Sequence, residues 1–142
     1  MFFGEYQHNL DTKGRLSIPA KFRGECGDHV YIMRGHEGCL DVYTEEGWQT
    51  YYAELKKLSN KKKEERAYLR MVTSRMSCSE FDKLGRINIP QVLRTHAHLE
   101  KSVQSLALVN ILKYGILLNG MHSMMNMMTS LMTYQKEYQK MR

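Results

Sequence analysis

A short alternation of polar and apolar residues occurs twice along the chain and predicts the same structural unit each time. Residues 15–18 and 86–89 alternate between polar and apolar side chains, which is the period of a half-buried β-strand. A glycine precedes each run and can supply the positive φ that a tight turn needs. Pro19 and Pro90, the two prolines of the chain, follow the runs, where they end a strand and suit the first turn of a helix. We therefore predict a turn, a strand and a short helix in each copy.

The two copies belong to a longer internal repeat. Residues 11–23 and 82–94 align without a gap at an offset of 71 residues, and six of the thirteen positions are identical. The identities include an aspartate just before each glycine turn. An aspartate favours the start of a turn, because its side chain can accept hydrogen bonds from the backbone two residues on. A repeat of this kind predicts two related halves. We place them at residues 1–76 and 77–142, with atypical sequence from about residue 104 onward.

Further elements follow from the same patterns. Thr44 is expected to cap a helix. The two glutamates that follow it lie in the first turn, where they interact favourably with the helix dipole. Apolar residues then recur at helical spacing, which predicts a pair of helices over residues 45–76 that packs by one face. In the first of these helices the apolar positions are Trp48, Tyr51, Tyr52, Leu55 and Leu58. Additional strands are predicted at residues 2–10, 30–33, 39–43 and 79–84. Residues 95–100 are expected to close the second short helix.

The motif pair carries a family resemblance. Both copies fit D-x-x-G-R-[IL]-x-[IL]-P-x-x-[FL]-R, and the chain opens with Met1-Phe2-Phe3-Gly4-Glu5-Tyr6. Over residues 1–103 these features resemble the MraZ family, whose members are similar to the AbrB/MazE swapped-hairpin DNA-binding proteins. The resemblance implies an α+β fold with a duplicated swapped-hairpin, β-barrel-like core (AbrB-like) and a helical pair between the repeats. It also implies a transcriptional regulator that forms ring-like homo-oligomers.

The expected partner is double-stranded DNA. By the resemblance, the target is repeated promoter elements ahead of the division and cell-wall gene cluster, and the protein is cytoplasmic and nucleoid-associated. The net charge of +6 agrees with an anionic partner, although it is divided evenly between residues 1–103 and the remainder. No apolar run is long enough to span a bilayer, and three scattered cysteines favour reduced thiols. We expect no cofactor, no metal, no small-molecule substrate and no membrane partner.

The candidate DNA contacts are the cations of the two turns and of the short helices that follow them. They are Lys13, Arg15, Lys21, Arg23, Lys83, Arg86 and Arg94. The planar guanidinium of an arginine can bind guanine O6 and N7 or clamp a phosphate, whereas lysine serves mainly as a phosphate contact. The resemblance places the DNA contacts on the same D-x-x-G-R turns. Arg15 and Arg86 are therefore the central candidates.

The same residues allow other interpretations. Each arginine can pair with the aspartate of its own turn and act only as a structural staple, an interpretation we favour for Asp11 and Asp82 themselves. The two aspartates can also be compared with an aspartic-protease dyad, although a neighbouring lysine lowers a carboxyl pKa, which opposes a shared proton. His96 and His98 lack a second ligand pair at zinc spacing. A non-DNA assembly scaffold, or an antitoxin-like module that binds a partner protein, is the alternative function.

The sequence after residue 103 departs from the repeat. It is expected to copy the two strands and the tryptophan-bearing helix of the first half, but it is leucine-rich and then methionine-rich. Because methionine has one codon, reading from its third base converts Met-Met to Asp and Met-Asn to Glu. A frame shifted in this way from about residue 104 restores the repeat pattern and an acidic tail. We hypothesise that this segment is an out-of-frame translation.

Overall fold

The computed structural model describes residues 5–35, 38–58, 61–110 and 113–141. Its elements, in chain order, are β1 Glu5–Asn9, β2 Arg15–Ser17, α1 Ala20–Cys26, β3 His29–Arg34, β4 Leu40–Tyr43, α2 Glu45–Leu55, α3 Lys63–Ser74, β5 Ser77–Glu80, β6 Arg86–Asn88, α4 Gln91–His96, β7 Ser102–Asn110, β8 Lys113–Gly120 and α5 Met121–Met141. The protein is thus a mixed α/β chain with antiparallel sheets.

The predicted turn, strand and short helix are confirmed in both copies. Strands β2 and β6 are followed by α1 and α4, and the capping positions are Pro19 and Pro90. The prediction of helix over residues 95–100 is wrong beyond His96, because His98 has a φ of 51° and cannot continue a right-handed helix. The strand predicted at residues 79–84 is likewise shorter, since β5 ends at Glu80 and the next residues lead into the turn.

The strands of the two halves pair with each other. The six-stranded sheet has the order β1-β7-β8-β4-β3-β5, and β2 pairs with β6 in a separate sheet of two strands. The repeat offset relates β1 to β5, β3 to β7 and β4 to β8, and this exchange reverses the strand order. A pseudo-two-fold axis therefore passes between β4 and β8, and the halves are intertwined. The expected barrel-like core is not confirmed, because the described strands form two sheets that an isolated bridge between Leu10 and Leu16 connects without closing.

The C-terminal segment corrects one expectation. Its leucine- and methionine-rich sequence departs from the repeat, but its backbone elements do not. Strands β7 and β8 and helix α5 follow in the same order as β3, β4 and α2, with β7 against β1 and β8 against β4. Strand pairing uses backbone groups that every residue other than proline provides, so an altered side-chain sequence can still complete the sheet. The reading-frame hypothesis concerns the coding DNA and stays a prediction.

One hydrophobic core lies between the two sheets. Leu16 and Ile18 of the first copy and Ile87 and Ile89 of the second are at most 2% exposed. They pack with Phe22 and Leu93 of the short helices and with the inward side chains of β3 and β4, which are Val30, Ile32, Leu40 and Val42. The two motif copies therefore bury their apolar residues against one sheet face, and the turns before them lie at the end of the two-stranded sheet.

The helical pair covers the opposite face of β3 and β4. Because side chains alternate along a strand, Met33 and Tyr43 point away from the first core, and they cluster with Trp48, Leu55 and Val72. Thr44 caps α2 as predicted, since its Oγ1 accepts a hydrogen bond of 3.0 Å from the backbone N–H of Gly47. Tyr52, predicted on the packed face, is instead 39% exposed, because it stacks on the outer side of Trp48.

Candidate nucleic-acid interface

The two D-x-x-G-R turns have the same backbone geometry. In the first, Asp11 Oδ1 accepts hydrogen bonds from the backbone N–H groups of Lys13 at 2.9 Å and Arg15 at 2.8 Å. In the second, Asp82 Oδ1 accepts from Leu84 and Arg86, both at 2.9 Å. The glycine N–H of each turn donates to the carbonyl oxygen of its aspartate, at 3.1 and 3.0 Å. In each turn the aspartate side chain accepts hydrogen bonds from backbone N–H groups that have no backbone acceptor there, and this fixes the turn.

Each aspartate also pairs with the arginine of its own turn. Arg15 Nε lies 2.6 Å from Asp11 Oδ2, and Arg86 Nε lies 2.7 Å from Asp82 Oδ2. Hydrogen bonds from the backbone and side chain of the arginine lower the pKa of each carboxyl group. The structural role favoured for the aspartates from sequence thus has a geometric basis. An exposed pair of this kind contributes little to the stability of the fold.

The arginines themselves are held but not buried. The side chain of Arg15 is 33% exposed and that of Arg86 is 25% exposed. Pairing through Nε fixes the plane of the guanidinium while part of the group faces solvent. A side chain held in this way loses less conformational entropy when it binds a ligand than a free one does. The geometry therefore combines a staple with a preorganised cation in each turn.

The fold brings the two turns side by side. Strands β2 and β6 pair antiparallel, with Leu16 opposite Ile87 at the pseudo-two-fold axis. The pairing continues beyond the strands, because Ile18 N–H donates to the Gly85 carbonyl at 3.1 Å and Ile89 N–H donates to the Gly14 carbonyl at 2.9 Å. The turns are therefore fixed to each other by backbone hydrogen bonds.

A charge contact also connects the turns. Arg86 Nη1 lies 3.8 Å from Asp11 Oδ2, so the arginine of the second copy reaches the aspartate of the first. This distance is long for a hydrogen bond but within the range of an ion pair. The ion pairs of the two turns are consequently linked to each other.

Arg23 and Arg94 have a role that sequence reasoning missed. Each lies on the turn of the opposite copy: a Cβ atom placed on Gly14 would lie 2.8 Å from Arg94 Cζ, and one on Gly85 would collide with Arg23. The Nε atoms of both arginines are buried, and neither has a hydrogen-bond partner among the described residues. The sequence did offer a signal, since both copies end in an arginine. Its meaning requires the structure, in which each short helix places its arginine against the turn of the opposite copy.

The lysines contribute differently. Lys13 and Lys83 are exposed at the turns, and Lys21 belongs to α1, although its side chain lies outside the described residues. The structure thus brings Arg15, Arg86, Arg23 and Arg94 together and leaves Lys13 and Lys83 at the periphery. Four arginines from the two sequence copies therefore lie on the paired turns, against the two aspartates Asp11 and Asp82. Such a concentration of positive charge favours a polyanionic ligand.

The same geometry argues against an aspartic-protease dyad. A shared proton requires one carboxyl group whose pKa is raised, whereas the pKa values of Asp11 and Asp82 are both lowered by hydrogen bonds from Arg15 and Arg86. Within the described ranges, no cluster of three or more histidine, cysteine, aspartate or glutamate side chains is arranged to hold a metal ion. None of the helices in that part of the chain is long and apolar enough to cross a membrane.

Comparison with known proteins gives the class. Three curated relatives, each named a transcriptional regulator, come from Ligilactobacillus salivarius, Alkaliphilus metalliredigens and Thermoanaerobacter pseudethanolicus. The first is 52% identical over 101 residues, which is 71% of both chains. The others are 46% and 48% identical over 103 residues, which is 72% of both chains. Over most of its length the chain is therefore similar to a class of transcriptional regulators, which are not enzymes.

The family follows from the same comparison. A family model described as "MraZ protein, putative antitoxin-like" matches residues 1–71 and 76–114. All three relatives carry the full name "Transcriptional regulator MraZ". This chain belongs to the MraZ family, which confirms the resemblance found in its two motifs.

Proposed function

We propose that this protein regulates transcription by binding specific double-stranded DNA through its two D-x-x-G-R turns. The observation that carries the proposal is the convergence of Arg15, Arg86, Arg23 and Arg94 at one edge, related by the pseudo-two-fold axis. A DNA duplex is itself pseudo-symmetric, so two related turns can contact two half-sites in the same way. The name shared by the relatives supports a regulatory role.

The cations divide by position and chemistry. Arg15 and Arg86 contact bases or clamp phosphates, because their guanidinium groups are held in place and partly exposed. Arg23 and Arg94 brace the opposite turns and add phosphate contacts from their Nη atoms. Lys13, Lys21 and Lys83 serve as phosphate contacts, which position the protein without selecting a sequence. The turn arginines thus supply the contacts that can select bases, and the other cations hold the protein on the DNA backbone.

Assembly multiplies these contacts. One pair of turns covers a short site, and a ring-like homo-oligomer presents several pairs to repeated promoter elements. Linked weak sites gain affinity because the later contacts form at a high effective concentration. We place the target ahead of the division and cell-wall gene cluster and the protein in the cytoplasm on the nucleoid, as the resemblance implies.

The alternative function is binding of a protein partner. The family description includes the term antitoxin-like, which favours a module that captures another protein through the swapped hairpins. The two functions differ in how binding depends on salt. Neutralising phosphates releases counterions, so DNA affinity falls steeply as salt rises, with a slope close to the number of phosphate contacts.

The test is fluorescence anisotropy with duplex DNA from upstream of the gene and with scrambled DNA, across a salt series. We expect tighter binding to the upstream duplex, a negative slope of log K against log salt, and a loss of about 1–3 kcal/mol for Arg15→Ala or Arg86→Ala. Arg70→Ala, an exposed arginine of α3, is the matched control and is expected to bind like the parent. Equal binding by all four proteins, or no preference for the upstream duplex, would contradict the proposal.

A further inference from the structure

The two turns are not chemically equivalent. At the repeat offset, Lys13 of the first turn corresponds to Leu84 of the second. Both backbone N–H groups donate to the aspartate Oδ1 of their turn at 2.9 Å, so the two side chains leave the backbone from the same place. One turn therefore presents an ammonium group where the other presents an isobutyl group.

Leu84 is exposed although the fold buries its apolar neighbours. Its side chain is 68% exposed, whereas Ile87 and Ile89 of the same copy are 0% exposed. A second difference points the same way, since Val92 is 51% exposed at the position that Lys21 occupies in the first copy. The second copy thus has exposed apolar residues at two repeat positions where the sequence of the first copy has lysines.

The surroundings of Leu84 limit what can cover it. Lys83 precedes it, Arg86 follows two residues later, and Arg23 lies against the adjacent Gly85. Charged groups are depleted at the core of protein–protein interfaces, because burying them is costly. A polyanion that also offers an apolar group matches this mixture. In the major groove of DNA that group is the C5-methyl of thymine.

We propose that Leu84 packs against a thymine methyl group, so that the second turn selects a thymine while Lys13 of the first turn contacts a phosphate. The inference rests on the proposed DNA-binding function and adds the base that one turn selects. It follows that the half-sites under the two turns differ in sequence. The protein then has a defined direction on each repeated element in spite of its pseudo-symmetry.

Replacing thymine with deoxyuridine removes the methyl group and leaves every hydrogen bond of the base pair unchanged. The same thymine of the upstream duplex is replaced in every repeat, one position at a time, and affinity for the full chain is measured by anisotropy. We expect one position at which deoxyuridine weakens binding by the parent about fourfold per site, the effect of burying one methyl-sized group. Other positions are expected to change affinity much less.

Two variants assign the effect to Leu84. Leu84→Ala is expected to bind thymine and deoxyuridine duplexes equally, whereas Lys13→Ala weakens binding to both and keeps the ratio between them. Lys13→Leu is expected to create a second sensitive thymine position under the first turn and to reduce the salt slope by about 1. Leu84 is exposed, so its replacement leaves the fold intact, which a urea titration checks.

The outcomes separate the inference from the function beneath it. If the parent binds the upstream duplex specifically but no thymine position is sensitive to deoxyuridine, the role of Leu84 is wrong and the proposed function stands. The same holds if Leu84→Ala keeps the thymine preference. If the parent shows no specific binding to the upstream duplex, both proposals fail together.

Discussion

The packing of each arginine on the opposite turn can be tested through the glycine beneath it. Gly14 has a φ of 80° and Gly85 a φ of 73°, so alanine is strained at either position. Alanine also adds a Cβ atom that would lie 2.8 Å from Arg94 Cζ at Gly14 and would collide with Arg23 at Gly85. We expect Gly14→Ala to lower the free energy of unfolding for two reasons, the backbone strain and the displacement of Arg94.

The chain offers two controls that help to separate these costs. Gly27 has a φ of 71° with a ψ of −134° and open space around its Cβ position, so the effect of Gly27→Ala is backbone strain alone, about 1–3 kcal/mol because this conformation is almost confined to glycine. Gly24 lies inside α1 with open space and no positive φ, so Gly24→Ala is expected to stabilise the protein by about 0.5–1 kcal/mol. For Gly14→Ala and Gly85→Ala we expect a loss of about 2 kcal/mol each.

The assay is urea unfolding followed by circular dichroism at one protomer concentration, because an oligomer's stability depends on concentration. A double-mutant cycle completes it. In the Arg94→Ala background, the added cost of Gly14→Ala is expected to fall by about 1 kcal/mol, since the side chain that the Cβ displaces is gone. If Gly14→Ala costs as much in the Arg94→Ala background as in the parent, so that the cycle shows no coupling, the proposed brace between Arg94 and the first turn is wrong.

Two further predictions concern pH and the coding sequence. Hydrogen bonds to Glu45 at 2.8 Å and Asp28 at 2.6 Å raise the pKa of His29 above 6.5. A raised pKa in the folded state means that this stabilisation is complete below pH 6.5 and is lost as pH rises through the raised value. The difference in free energy of unfolding between the parent and His29→Gln is therefore expected to shrink as pH rises over that range. A difference that stays constant with pH would contradict this prediction. For the segment from about residue 104, sequencing the coding DNA is expected to reveal a shifted frame with the acidic tail; if no frame encodes it, the hypothesis is wrong.

Local features of the sequence were sufficient to predict the turns, the short strands and the helical pair of this protein. The repeat, the alternation over residues 15–18 and 86–89, and the cap at Thr44 each depend on neighbours within a few residues. Such patterns act through backbone preferences and the alternation of buried and exposed positions. For this reason the turns, the short strands and the helical pair were predicted at nearly the right places.

The limits of the shorter elements depended on more than the local pattern. The helix predicted over residues 95–100 stops early, because the positive φ of His98 redirects the chain. Strands β7 and β8 form in a segment whose side chains depart from the repeat, because β1 and β4 offer backbone partners to them. In both cases, what the rest of the chain provides outweighs the local signal.

The sequence by itself determined that two cationic turns exist, and only the tertiary structure decided how they are combined. Nothing in either copy indicates that Arg23 lies on the turn of the other copy, or that Arg86 approaches Asp11. Those contacts join residues more than sixty positions apart, and they form because β2 pairs with β6 across the pseudo-two-fold axis. Pairing between distant strands depends on how the whole chain buries its apolar faces, which no short stretch of sequence encodes.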